Sequence, residues 1–227
     1  MKKLTYNNHV LIVFLLFTIF LSDSQVNAQI DTALFSTHYV LPDFVAGSVK
    51  MKNGRIEVAS MNYNKLTEEM IFDKKGVKMA LDSTEAIDTV HIESRIFVPH
   101  EKVFYEVLVI GPVSLYMQHK CNLLAAGNPS GYGGTSETGA SRNLSSLTNT
   151  GRAYKLNLPG DYHVTDASKF WIKSNAIFYK ANTGAQIAKA FPEREKEIKE
   201  YIKQKKLDLN NTTDLVTLII KCNELIR

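Results

Sequence analysis

The chain has 227 residues, with 27 Lys and Arg against 23 Asp and Glu, so its formal net charge is +4 at neutral pH. This excess of positive charge is small and scattered along the chain. Composition therefore argues against nucleic acid or anionic lipid as a partner.

The first 28 residues have the order of a secretory signal. A basic start precedes the apolar run Val10 to Leu21, and small side chains follow at Val26 and Ala28. The run is shorter than the about 18 apolar residues that a membrane span needs. The pattern predicts a signal peptide at residues 1–28, cleaved between Ala28 and Gln29. No cysteine follows the run, so we expect a periplasmic or secreted protein without a lipid anchor at that point.

Removal of residues 1–28 takes away Lys2, Lys3 and Asp23 and lowers the formal net charge to +3. The 199 residues that remain are enough for one full hydrophobic core. No later segment is apolar enough to span a membrane, so the mature chain is not expected to do so.

The clearest strand signal is the hairpin pattern of residues 47–64, centred on Asn53-Gly54. This dipeptide favours a two-residue turn, in which both central residues have positive φ. The predicted register has three facing pairs: Met51 with Ile56, Lys50 with Glu57, and Val49 with Val58.

Further strand patterns recur every 8 to 12 residues. They cover residues 68–73, 77–81, 88–94, 95–99, 103–110, 113–120, 153–158, 169–173 and 176–180. This spacing predicts an antiparallel meander that forms a curved sheet, a sandwich or a partly closed barrel. We place this β domain at residues 29–182.

The last 45 residues change to helical spacing. Thr183 with Gln186 predicts a capped first helix that ends at Phe191, because Pro192 follows. A second helix is predicted over residues 192–206, with proline in its first position.

A third predicted helix is capped by Asn211 with Asp214. One side of it carries a stripe of apolar residues: Leu215, Leu218, Ile219, Cys222, Leu225 and Ile226. Such a stripe needs a partner surface, and the sheet is the simplest one. The sequence therefore predicts one α+β domain, in which the helices of residues 183–227 pack on the sheet.

Residues 122–151 read as a loop rich in glycine and serine. Six of the chain's twelve glycines lie between Gly127 and Gly151. The lysine of a phosphate-binding loop is missing, and no strand and helix frame a dinucleotide fingerprint. We predict a flexible connection, with a partner-binding loop anchored by Tyr132 as the alternative.

Cys121 and Cys222 are the only two cysteines. In an oxidising compartment they are candidates for a disulfide bond, and two buried free thiols are the alternative. His119 lies two residues before Cys121, so both are expected on one face of a strand, which suggests a metal pair or a Cys–His nucleophile. Neither constellation is complete, so no catalytic residue, metal ligand or cofactor site is assigned.

Aromatic residues around the predicted turn at Ser174-Asn175 are the best ligand candidates. Strand alternation sends some of them into the core and leaves others exposed. If one face of this hairpin is exposed, Trp171 and Tyr179 are the predicted ligand contacts.

Several segments together resemble a group of uncharacterised secreted proteins of Gram-negative bacteria. They are "DFVAGSVKMKNG", "MNYN", "FYEVLVIG", "GYGGTS" and "FPEREKEIKEYIKQKKLDL". The resemblance implies an envelope location and a β-rich body with a helical tail, and it carries no catalytic residue.

Two functions remain open at this point. The first is a non-enzymatic periplasmic module that binds an envelope protein or a glycan. The alternative is an envelope hydrolase or thiol enzyme that uses Cys121 and His119.

Overall fold

Ten strands form one antiparallel sheet in the computed structural model, which describes residues 38–125, 128–129, 135–136 and 162–226. The predicted signal peptide and its cleavage site, Tyr132, most of the glycine-rich stretch and the predicted strand at 153–158 lie outside these residues.

The strands follow the predicted pattern closely. The first eight are β1 Val45–Met51, β2 Ile56–Asn64, β3 Glu69–Lys74, β4 Val77–Ala80, β5 Ile87–Ile92, β6 Arg95–His100, β7 Val103–Val109 and β8 Val113–Gln118. The remaining ones are β9 Cys121–Ala125, β10 Asn128–Pro129, β11 Thr135–Ser136, β12 Tyr162–Asp166, β13 Lys169–Ser174 and β14 Ile177–Lys180.

The large sheet joins two meanders side by side. Its strand order is β14-β13-β8-β7-β6-β5-β1-β2-β3-β4, so β1 and β5 form the seam between them. The sheet is strongly curved. The ring of Tyr63 on β2 stacks on that of Phe97 on β6 at 5.7 Å, although a flat sheet would separate these strands by about 14 Å. The predicted fold class, an antiparallel meander forming a curved sheet followed by helices, is confirmed.

The first hairpin forms where predicted, but its predicted register is wrong by one residue. The observed pairs are Lys50 with Ile56, Val49 with Glu57, and Ser48 with Val58. The loop has three residues rather than two, because Met51 N–H bonds to the Arg55 carbonyl while Gly54 takes a φ of 86°.

The register shift changes the surroundings of side chains on both strands. Val58 points outward and is 75% exposed, while Val49 is buried. Lys50 forms its ion pair with Asp88 on the neighbouring β5 at 3.0 Å, not with Glu57.

A ribbon of β9 and β12 extends β8 and β13. These two strands pair from Cys121 with Asp166 to Ala125 with Tyr162. The predicted loop therefore starts too early at residue 122, since Leu123 is a buried strand residue. The sequence patterns did not predict strand β12.

Three helices follow the sheet within the described residues: α1 Gly184–Ala188, α2 Glu195–Lys205 and α3 Thr212–Leu225. The Thr183 side chain accepts from Gln186 N–H, as the capping pattern predicted. Helix α1 ends at Ala188, earlier than the predicted end at Phe191. A 3₁₀ turn at Pro192–Arg194 then leads into α2. Asn211 caps α3 by accepting from the N–H groups of Thr213 and Asp214.

The helices and one face of the sheet share a hydrophobic core. Leu115 on β8 and Ile172 on β13 pack with Leu218 and Ile219 on α3, and all four are buried. Of the predicted apolar stripe on α3, Ile226 alone is exposed. A second core lies within the curve of the sheet, around Tyr63 and Phe97.

Asn223 joins α3 to the start of β8. Its side-chain oxygen accepts from Val113 N–H at 2.9 Å, and its amide group donates to the Val113 carbonyl at 2.8 Å. Gly111 leaves room for this contact, because a Cβ there would lie 2.7 Å from the Asn223 amide nitrogen.

Candidate ligand-binding surface

Trp171 and Tyr179, the two predicted ligand contacts, lie on opposite faces of the sheet. Residues directly opposite each other in an antiparallel ladder share a face. Tyr179 is opposite Ile172 and packs against the helix-covered core. Trp171 is opposite Tyr116 on one side and Lys180 on the other, on the face away from the helices. The two aromatic residues therefore do not form one surface.

Five ring-bearing residues meet on the face of Trp171, and we call them the aromatic patch. They are His100, Tyr105, Tyr116, Trp171 and Phe178. Tyr105 stacks on Trp171 at 5.9 Å with 14° between the ring planes. Phe178 lies 5.4 Å from Tyr116 and 4.3 Å from His100.

The aromatic patch depends on the shape of the sheet. His100 is on β6 and Phe178 is on β14, which would place them about 19 Å apart on a flat sheet. Twist and curvature bring the two rings into contact instead. The sequence signal for Tyr105 and Tyr116 was strand alternation alone, and it did not predict contact between residues on separate strands.

The aromatic patch has a buried centre and a half-exposed rim. Tyr105 is only 4% exposed, and its burial raises the pKa of its hydroxyl. The other four rings remain partly open to solvent. Half-exposed aromatic side chains gathered on one surface are typical of binding sites, because their apolar area is left for a ligand to cover.

A chain of hydrogen bonds holds the Trp171 indole. Its ring N–H donates to the Gln118 side-chain oxygen at 3.1 Å. The Gln118 amide donates to Glu68 at 2.5 Å, and the Lys120 ammonium contacts the other Glu68 oxygen at 2.6 Å. Because Glu68 belongs to the β2–β3 turn, this chain ties that turn to the aromatic patch.

Three lysines surround Trp171 on the same face of the sheet. Lys180 is opposite Trp171 itself, while Lys169 and Lys173 lie two positions before and after it on β13. The Lys173 ammonium lies over the Phe178 ring, 5.4 Å from its centre. Within the described part of the chain, none of the three is in an ion pair with a carboxylate.

A buried polar cluster lies on the opposite face, around Glu106. The Arg95 Nη1 contacts the two Glu106 oxygens at 2.9 and 2.8 Å, and the His119 Nε2 contacts Oε2 at 2.5 Å. Burial alone would raise the pKa of Glu106, but the bonds from His119 and Arg95 outweigh it and lower the pKa. His119 and Glu106 are almost inaccessible, so this cluster joins strands rather than receiving a substrate.

The surroundings of Cys121 oppose its use as a nucleophile. Burial raises the pKa of the Cys121 thiol to about 11, whereas reactive cysteines need a lowered pKa. His119 and Cys121 were expected on one strand, but β8 ends before His119 and β9 begins at Cys121. No hydrogen bond joins these two residues, which are both in the described range.

Both cysteines are free, buried thiols in the structure, which is the alternative to the candidate disulfide. Cys222 lies in the core under α3, and its burial raises the pKa of its thiol to about 12.

The described residues contain neither a cluster of metal-ligating side chains nor a membrane-spanning helix. No three His, Cys, Asp or Glu side chains there lie close enough to share a metal ion. No helix in the same residues is long and apolar enough to cross a membrane. A shallow depression of about 370 Å³ is lined by charged residues between Pro192 and Lys199, away from the aromatic patch.

Comparisons with protein-family models, with curated proteins and with solved structures gave no match.

Proposed function

We propose that this protein is exported through its N-terminal signal and acts in the envelope as a non-enzymatic binding module. The aromatic patch is its binding surface, with Trp171 as the central contact. The observation that carries this proposal is the convergence of five rings, four of them partly exposed, on the sheet face that the helices leave uncovered.

The chemistry of the buried groups supports binding rather than catalysis. A hydrolase needs an accessible acid, base or nucleophile beside its substrate. Glu106 and His119 are buried and bonded to each other, and the Cys121 thiol has a raised pKa. The aromatic patch is accessible, and its one histidine, His100, makes no hydrogen bond to a nucleophile or carboxylate within the described residues.

Affinity capture from a native envelope extract tests the binding function. Immobilised mature protein, residues 29–227, should retain at least one glycan or protein that the Trp171→Ala variant fails to retain. Ile177→Ala is the matched control, because Ile177 is an exposed apolar residue of the same hairpin on the opposite face. Equal retention by wild type and Trp171→Ala, or no retained component, would overturn the proposal.

Export is tested separately. Expression of the full chain in a Gram-negative host, followed by fractionation, should give a periplasmic or secreted protein whose first residue is Gln29. Recovery of the uncleaved chain in the cytoplasm would refute the export proposal.

A further inference from the structure

We infer that the ligand of the aromatic patch is an acidic oligosaccharide, a short chain of sugar rings that bear carboxylates. This inference rests on the proposed binding function and adds the chemical class of the ligand. It follows from the combination of half-exposed rings and unpaired lysines on one face of the sheet.

The rings favour a ligand with flat apolar faces. One side of a pyranose ring presents C–H groups, which pack on an aromatic ring while the hydroxyl groups stay in water. Trp171 is held in place through Gln118, so its ring is positioned before a ligand arrives. A fixed ring loses little conformational entropy on binding.

The lysines favour a ligand with negative charge. Lys169 and Lys180 are exposed, Lys173 is half-buried, and no described carboxylate pairs with any of them. The nearest acidic group in the hydrogen-bond chain, Glu68, is already neutralised by Lys120. Carboxylates spaced along a sugar chain would complement these charges on either side of Trp171.

The position of the aromatic patch favours a sugar over an acidic peptide. Extended peptides bind sheets by adding a strand at an edge, where backbone groups are free. Trp171 is on β13, which is paired with β8 on one side and β14 on the other. A peptide lying across Trp171 would therefore gain no backbone hydrogen bonds from β13 or β8, and strand addition would have to occur at β14, the end strand of the described sheet.

Three hexamers separate these ligand classes: hexagalacturonate as the acidic sugar, maltohexaose as the neutral sugar and hexaglutamate as the acidic peptide. Trp171 is the one tryptophan of the chain, so its emission reports each titration, and calorimetry gives the affinity. We expect hexagalacturonate to bind at least about tenfold more tightly than the other two at 50 mM salt. We also expect its affinity to fall several-fold at about 500 mM salt, where exposed charges are screened.

Charge-removing variants then locate the binding surface. The triple variant Lys169→Gln, Lys173→Gln and Lys180→Gln should bind hexagalacturonate about tenfold more weakly, since each exposed pair contributes modestly. The triple variant Lys196→Gln, Lys203→Gln and Lys205→Gln, which removes the same number of charges from the exposed surface of α2, should leave the affinity unchanged.

Three results would overturn the inference: equal binding of neutral and acidic sugars, tighter binding of hexaglutamate, or no binding of any hexamer. If envelope capture still depends on Trp171 in such a case, the proposed binding function stands and only the ligand class fails.

Discussion

Asn223 makes the contact between α3 and β8 that we expect to matter most for stability. Its side chain is 7% exposed and forms two hydrogen bonds with the backbone of Val113. Asn223→Ala would leave that buried N–H and carbonyl without these partners, at a cost of about 1–3 kcal/mol for each group. The variant should therefore lose about 2–6 kcal/mol of unfolding free energy.

Equilibrium denaturation of the protein, followed by far-UV circular dichroism and by Trp171 emission, measures this loss. For a chain of this size, it corresponds to a fall in Tm of about 2–4 °C per kcal/mol. Glu224→Ala is the control, because Glu224 is exposed on the same helix and, among the described residues, its ion pair is with Lys221. That variant should change stability by less than about 1 kcal/mol.

A second substitution, at Gly111, tests the same contact between α3 and the start of β8. Gly111→Ala would place its new Cβ 2.7 Å from the Asn223 amide nitrogen and should displace that side chain. The added methyl group should therefore lower the unfolding free energy less in an Asn223→Ala background than in the wild type. The coupling free energy between the two substitutions should be about 0.5–3 kcal/mol. A stability of Asn223→Ala equal to that of the control, or strictly additive costs, would refute the reasoning.

Three further outcomes are expected. Gly47→Ala should lose more than about 2 kcal/mol by denaturation, because its Cβ would lie 2.7 Å from the His91 carbonyl oxygen and 2.7 Å from the sulfur of buried Met61; a smaller loss would contradict this packing. Glu106→Gln should be less stable than wild type at neutral pH. Its deficit should shrink as the pH falls below about 4.5, because the folded pKa of Glu106 is lowered and its contribution is lost on protonation. A deficit that is constant from pH 7 to pH 3 would count against the ion pair. Cys121 and Cys222 should resist thiol reagents at pH 8 and react only in denaturant, because both thiols are buried and have raised pKa values. Rapid labelling of the native protein would instead indicate an accessible thiol.

Local patterns in the sequence were sufficient for most of the fold. Alternation and turn residues located the hairpins, and capping residues at Thr183 and Asn211 located two helix starts. The register of the first hairpin was wrong because Asn53-Gly54 is compatible with a two-residue and a three-residue loop. The surrounding sheet decides between them, since the observed register puts Val49 in the core opposite Val90 of β5.

The aromatic patch was predicted only in part. Trp171 was correctly placed near a turn, but its true neighbours are on strands far away in sequence. Tyr105 contacts it because β7 and β13 flank β8, an order that no local pattern encodes. The opposite orientation of Tyr179 follows from the same pairing, which fixes the face of every residue in the hairpin.

The ribbon of β9 and β12 has a consequence for how this chain tolerates change. Ala125 and Tyr162 are directly opposite each other, so the ladder already holds the two ends of the intervening segment together. Entropy of loop closure grows only slowly with length. Adding residues to that segment should therefore cost little loop-closure entropy, and the ladder should keep its register from Ala125 with Tyr162 to Cys121 with Asp166.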